Sequence, residues 1–201
     1  MNAILHRLKQ ATWPHHKRLE QRLDLLNPTF SRQDYLRLIQ AFWGYYQPVE
    51  SSLAGLAGLR DWLPDLDRRA KLPWLEQDLL ALGMDGEALA RLPRCRHLPP
   101  CTDAATALGC LYVLEGSTLG GQVISRHLKR SLALDAGNGA AFFNGYGEAT
   151  GAMWEVFRQH VNAFGTGEDR MVEAACASFL SLERWLCPNP SLAHHHEHST
   201  L

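Results

Sequence analysis

Apolar positions recur along this chain at intervals of three and four residues. Leu5, Leu8, Thr12, His16, Leu19, Leu23 and Leu26 fall on one stripe, the period of a helix that buries a single face. His15 lies at the edge of that stripe. Thr12 before Trp13-Pro14 reads as a helix start, with Pro in a first turn where its missing N–H matters little. It reads equally as a kink in a helix that begins earlier. Ser31 caps a second, aromatic-rich helix, which Pro48 should bend or interrupt. Residues 65–82 predict a third helix, packed through Leu66, Ala70, Trp74 and Leu75. A Pro- and Cys-bearing loop, "RLPRCRHLPPC", follows. Residues 103–134 then predict a long apolar helix interrupted by glycines, and two more helices fit 147–164 and 168–186. Gly165-Thr166-Gly167 caps the last of these. No sustained β-branched alternation marks a strand, and no repeat occurs. The pattern predicts an all-α, multi-helix single domain over residues 1–188. The polar, His-rich stretch 189–201 is expected to be disordered.

Composition adds little to this picture but removes several alternatives. The 201 residues suit one domain with a substantial core. With 46% hydrophobic and 20% charged residues and a formal net charge of -1, the chain reads as globular. Near-neutral charge gives no argument for a nucleic acid or membrane partner. No apolar run is long enough for a signal peptide or a bilayer span, so a cytoplasmic location is expected. The five cysteines, with no CxxC pair, read as reduced thiols.

Two stretches carry candidate chemistry. In "ATWPHHKRLE", His16 has Glu20 at i+4, on the same helix face one turn later. A neutral imidazole on an inward helix face is a good axial ligand for iron in a flat macrocycle. The carboxylate can hydrogen-bond the second ring nitrogen and fix the tautomer. His15 has Leu19 at i+4 and no such partner. A buried histidine with an ordinary i,i+4 pair explains the same pattern.

In "LYVLEGSTLGGQVISRHL", Gly116, Gly120 and Gly121 fall inside an otherwise helical segment. Glycine in a helix costs about 1 kcal/mol relative to alanine. Either close helix packing or backbone approach to a flat ligand accounts for three of them. Glu115 stands among apolar neighbours, either buried and paired or solvated. No GxGxxG, P-loop, HExxH or GxSxG motif is present.

Together these stretches resemble the haem oxygenase family. "LKQATWPHHKRLE" is similar to that family's proximal helix, where a threonine stands four residues before the iron-ligating histidine and a glutamate four after it. Thr12, His16 and Glu20 match; His15 does not. "EGSTLGGQV" is similar to the glycine-rich, kinked distal helix. The wording "YVLEGSTLGGQVISRHL" looks closest to bacterial members that supply biliverdin to bacteriophytochromes. One departure stands out: Ser117 occupies a position where many members carry an aspartate that orders water near iron-bound oxygen.

The resemblance implies a bundle with haem b, both substrate and cofactor, sandwiched between proximal and distal helices. It implies cleavage at a meso carbon to biliverdin, CO and ferrous iron, using O2 and an external electron donor such as a ferredoxin, a flavoprotein reductase or ascorbate. His16 would be the metal ligand, and Gly116, Ser117 and Gly120 would shape the distal face with Gly121. Lys9 and Arg158 match basic propionate contacts, while Trp13 and Trp154 replace two others. Tyr112 matches a propionate-binding tyrosine, and Glu20 supports His16. A haem-binding or trafficking protein without turnover is the alternative, and Ser117 is its best support.

Overall fold

The computed structural model describes residues 3–188. The tail expected to be disordered, 189–201, lies outside the described residues. The elements in chain order are α1 (Ala3–Leu23), α2 (Arg32–Ala54), α3 (Leu59–Trp62), a 3-10 turn (Leu66–Arg69), α4 (Leu72–Ala81) and α5 (Gly86–Ala90). There follow α6 (Ala104–Ser131), α7 (Ala141–Asn144), a second 3-10 turn (Gly147–Ala149), α8 (Thr150–Phe164) and α9 (Glu168–Leu186). Among the described residues there is no strand.

The helix periods were legible; several boundaries were not. α1 begins at Ala3 and carries Pro14 in its interior, so Thr12 is no start signal. Its hydroxyl donates to the Leu8 carbonyl at 2.7 Å, a back-bond inside the helix. Of the stripe, Leu5, Leu8, Thr12 and Leu19 are buried, His16 is half-buried, and Leu26 falls in the exposed turn beyond the helix. Ser31 does cap α2, in a reciprocal capping box with Asp34. Residues 65–82 divide into the 3-10 turn and α4. Residues 147–164 likewise divide into a 3-10 turn and α8, whereas α9 spans the expected residues.

Pro48 does not interrupt α2, which runs through it. A proline leaves the carbonyl four residues earlier without its helical partner. That carbonyl belongs to Gly44, and it accepts the Cys95 N–H at 2.9 Å. Gly44 also sits so close to the Pro93 carbonyl that a Cβ there would stand 2.3 Å from its oxygen. Proline and glycine together thus dock the 91–101 loop onto α2.

The glycines do not interrupt α6 either. It is one helix of 28 residues, capped by Asp103. It lies against α9, α7 and α8, while α1 packs on α9 and α8, and α2 on α4 and α9. Gly109 lets α6 and α9 touch backbone to backbone: a Cβ there would lie 2.1 Å from the Met171 carbonyl oxygen. Tyr35, Ile39, Leu75, Leu79, Leu108 and Phe157 are fully buried between these helices. Glu183 on α9 clamps the end of α1. It accepts two bonds of 2.8 Å from Arg18 Nε and one of 2.9 Å from Arg22.

Asp78 on α4 ties down the start of α7. Its carboxylate accepts the Ala141 and Phe142 N–H groups at 2.7 and 2.9 Å. It is fully buried, and desolvation pushes its pKa up to about 6. The folded chain therefore holds this proton more tightly than the unfolded chain. Stability from this group falls as pH rises from the ordinary aspartate value near ~4 to about 6. Thermal unfolding of Asp78→Asn across that window is expected to show a flatter pH profile than the wild type, on a lower baseline.

Candidate functional site

His16 stands on α1 in an aromatic setting. Its ring stacks on Trp13 at a centroid distance of 5.9 Å and meets Phe179 of α9 edge-on at 5.8 Å. Its side chain remains 41% exposed, with Nε2 3.6 Å from Glu20 Oε1. The imidazole is therefore oriented by its neighbours and still open on one side. Lys17 adds a cation over the Trp13 ring at 5.4 Å. His15 turns elsewhere, with Nδ1 3.4 Å from Arg18 Nη2. Lys9 is exposed on α1, two turns before His16.

α6 and α8 meet α1 one turn away. Thr12, four residues before His16, lies beside the Tyr112 hydroxyl, which also feels the Arg158 charge. Burial pushes the Tyr112 phenol above its ordinary pKa, and these two contacts oppose the shift. Tyr112 packs on Trp154 at 5.5 Å, and Trp154 stacks on Phe157 at 5.7 Å. Arg158 donates to Glu155 at 2.8 Å. His16, Thr12, Tyr112, Trp154 and Arg158 thus gather from three helices that the sequence pattern alone did not connect.

One turn beyond Tyr112 the glycines take different parts. A Cβ at Gly116 would meet Trp154 at an ordinary 3.6 Å, and one at Gly120 would meet nothing within 4 Å. At Gly121 a Cβ would lie 2.7 Å from the Phe143 carbonyl oxygen. Gly121 therefore serves packing against α7. Adjacent helical positions diverge by about 100°, so Gly120 and Gly121 cannot look the same way. Gly116, Leu119, Gly120 and Val123 form an i, i+3, i+4, i+7 stripe. Leu119 and Val123 are 43% and 47% exposed. A flat, apolar, uncovered helix face is informative where an isolated exposed leucine is not.

Ser117 is exposed, and its hydroxyl donates to the Leu114 carbonyl at 2.8 Å. It also lies beside Tyr46 of α2, whose phenol burial pushes well above its ordinary pKa and whose shift Ser117 opposes. Tyr46 was not singled out from sequence. It lies among the aromatic residues of α2, and nothing local marks which of them reaches α6.

Glu115 is buried and paired. Arg69 and Lys71 each reach one of its carboxylate oxygens, and the Tyr146 hydroxyl donates to both, at 3.0 and 3.2 Å. No local spacing marks these partners, because Arg69, Lys71 and Tyr146 lie more than thirty residues from Glu115 along the chain.

The arrangement fits a flat, apolar macrocycle that needs one nitrogen ligand. It offers an imidazole with an open side, a bare glycine-bearing stripe and basic and phenolic groups nearby. Among the described residues no cluster of three or more His, Cys, Asp or Glu could hold a metal ion. No helix among them is long and apolar enough to cross a membrane.

Comparison with known proteins bears on the same point. The family model described as Heme oxygenase matches residues 2–187. A heme oxygenase of Xanthomonas campestris pv. campestris (strain 8004) is 39% identical over 77 residues, which are 36% of this chain and 42% of that protein. The aligned stretch thus spans less than half of that relative. The NO- and CO-bound heme oxygenase of Neisseria meningitidis superposes with a TM-score of 0.76 at 23% identity, covering 91% of this chain and 92% of the other. The heme oxygenase of Leptospira interrogans superposes at 0.72 with 15% identity, covering 92% and 98%. Heme oxygenase 2 of Chlamydomonas reinhardtii, solved without heme, superposes at 0.69 with 20% identity, covering 94% and 99%. At such identities the superpositions establish the fold. The family match, which spans all but the ends of the chain, establishes the lineage: this protein belongs to the haem oxygenase family.

Proposed function

We propose that this chain cleaves haem b oxidatively at a meso carbon, giving biliverdin, CO and ferrous iron. The observation that carries the reading is the pairing of an open, aromatic-flanked imidazole at His16 with the bare stripe of Gly116 and Gly120. Haem supplies the iron that activates O2 and the carbon that is attacked; an external donor, such as a ferredoxin, a flavoprotein reductase or ascorbate, supplies electrons.

The protein's part is binding, orientation and proton placement. His16 holds the metal, and Glu20 and Trp13 limit the rotation of its ring. Arg158, Lys9 and the Tyr112 hydroxyl pair with the propionates, while Trp13 and Trp154 offer apolar edges at positions that match basic ones in the family pattern. That distribution sets the in-plane orientation and hence which meso carbon faces the distal groups. Gly116 and Gly120 let the helix backbone approach closely. Ser117 and Tyr46 hold a proton at their hydroxyls without placing a strong acid at the site. The biliverdin would suit a bacteriophytochrome that uses it as chromophore.

A second reading, haem binding without turnover, draws on one observation: the Ser117 hydrogen is directed at the Leu114 carbonyl rather than into open space. One assay separates the two. Purified protein with hemin should show the absorption band of histidine-ligated haem, and added ascorbate should turn the solution green as bilin forms. A stable oxygenated complex that yields no bilin would establish the second reading and overturn the first.

A further inference from the structure

The back of α6 is held more elaborately than packing requires. Glu115 directly precedes Gly116 and is 1% exposed. Arg69, which grips one of its oxygens, is itself held by Asp65 through bonds of 2.9 and 2.7 Å and donates to the Met153 carbonyl of α8 at 3.3 Å. Lys71, which grips the other, also donates to the Arg69 carbonyl at 2.9 Å. The Lys71 and Leu72 N–H groups go to Glu50 of α2 at 2.7 and 3.2 Å. Tyr146 reaches the same carboxylate from the segment between α7 and α8. Two segments of the chain thus grip one side chain of α6, and α2 and α8 hold the gripping residues in turn.

Such burial is not an efficient source of stability, because desolvating the charges offsets their attraction. Apolar side chains of equal volume would hold the helix as firmly, but hydrophobic contact is non-directional. Hydrogen bonds have preferred angles, so this network resists rotation as well as separation.

We propose that Glu115 is a positioning residue that fixes the rotation of α6 about its own axis. The proposal rests on the haem reading above. On the ligand face Gly116 and Gly120 carry no side chain, and Leu119 and Val123 are uncovered, so little there resists turning. Residues 115 and 117 lie about 200° apart around the axis, so a hold on Glu115 from behind aims Ser117 at Tyr46 in front. It also keeps Gly116 and Gly120 bare toward the macrocycle. The ionisable groups that face Glu115 are Arg69, Lys71 and Tyr146, with Asp65 and Glu50 behind them and Tyr46 on α2.

Glu115→Gln keeps the shape and removes the charge. In haem-free protein, hydrogen exchange at amides 114–121 is expected to rise about tenfold relative to amides 104–110 of the same helix. The latter stay held by the Gly109–Met171 contact. In the ferric haem complex, the pH midpoint of the absorption change is expected to move on the order of one unit, the worth of one hydrogen bond at the distal face. That shift is expected to vanish when Ser117→Ala is already present. Tyr146→Phe removes the hydroxyl's bonds to Glu115 and Lys71 without stranding a charge and carries the same tests if Glu115→Gln does not fold. The proposal is overturned if both variants keep the wild-type midpoint and change exchange uniformly along α6. A wild-type chain that binds no haem overturns the functional reading instead, and the exchange contrast then decides for or against the anchor.

Discussion

His16→Ala is expected to abolish the absorption band of histidine-ligated haem and all bilin formation, while His15→Ala retains both. The two residues are adjacent and equally half-buried, so burial does not distinguish them. Their contacts do. His16 stacks on Trp13 and abuts Phe179, near the junction of α1 with α6 and α8. His15 pairs with Arg18, which in turn holds Glu183. Losing an outer-shell partner of a metal ligand already costs about 10–100-fold, so loss of the ligand itself should reduce turnover by more than ~100-fold. Folding is not expected to suffer, because a half-exposed side chain outside the core contributes within about 1 kcal/mol. Unchanged thermal unfolding together with lost haem absorption therefore identifies the ligand, and added imidazole should restore the band. Retention of the band by His16→Ala would falsify the assignment.

Alanine at each of three α6 glycines is expected to give opposite results on one helix. Gly109→Ala puts a methyl 2.1 Å from the Met171 carbonyl oxygen, and Gly121→Ala puts one 2.7 Å from that of Phe143. Backbone cannot yield as a flexible side chain can, so each should destabilise by about 1–3 kcal/mol or more. Gly120→Ala meets nothing within 4 Å. It should stabilise the haem-free protein by up to ~1 kcal/mol through helix propensity, raising the melting temperature by about 2–4 °C. The same methyl stands on the stripe proposed to face haem, so haem affinity should fall as stability rises. Thermal melts with and without hemin test both halves. If Gly120→Ala gains stability and binds hemin as well as the wild type, the ligand does not lie on this stripe.

The reach of the sequence pattern is clear from particular residues. Ser31 and its capping box were legible because capping is local. So was α9, whose apolar period is uninterrupted. Pro14 suggests a helix start or a kink and Pro48 a bend or interruption, yet both lie inside helices, because a proline's cost depends on what else can take up the freed carbonyl. For Pro48 that acceptor's partner is Cys95, nearly fifty residues away. The 3-10 turn at Leu66–Arg69 merged with α4 because one turn of tighter helix hardly alters the apolar spacing.

By itself, then, the sequence determined the helical class, the shared helix face of His16 and Glu20, and the concentration of glycine on one helix. Each is a matter of short-range spacing, which helix geometry converts directly into a common face. Only the tertiary structure decided which glycine packs and which stays bare, that Tyr46 meets Ser117, and that Glu115 is buried between Arg69 and Lys71. Those outcomes depend on which other helix lies a few ångströms away, and residues 46, 69 and 146 come within reach of α6 only once the chain has closed upon itself.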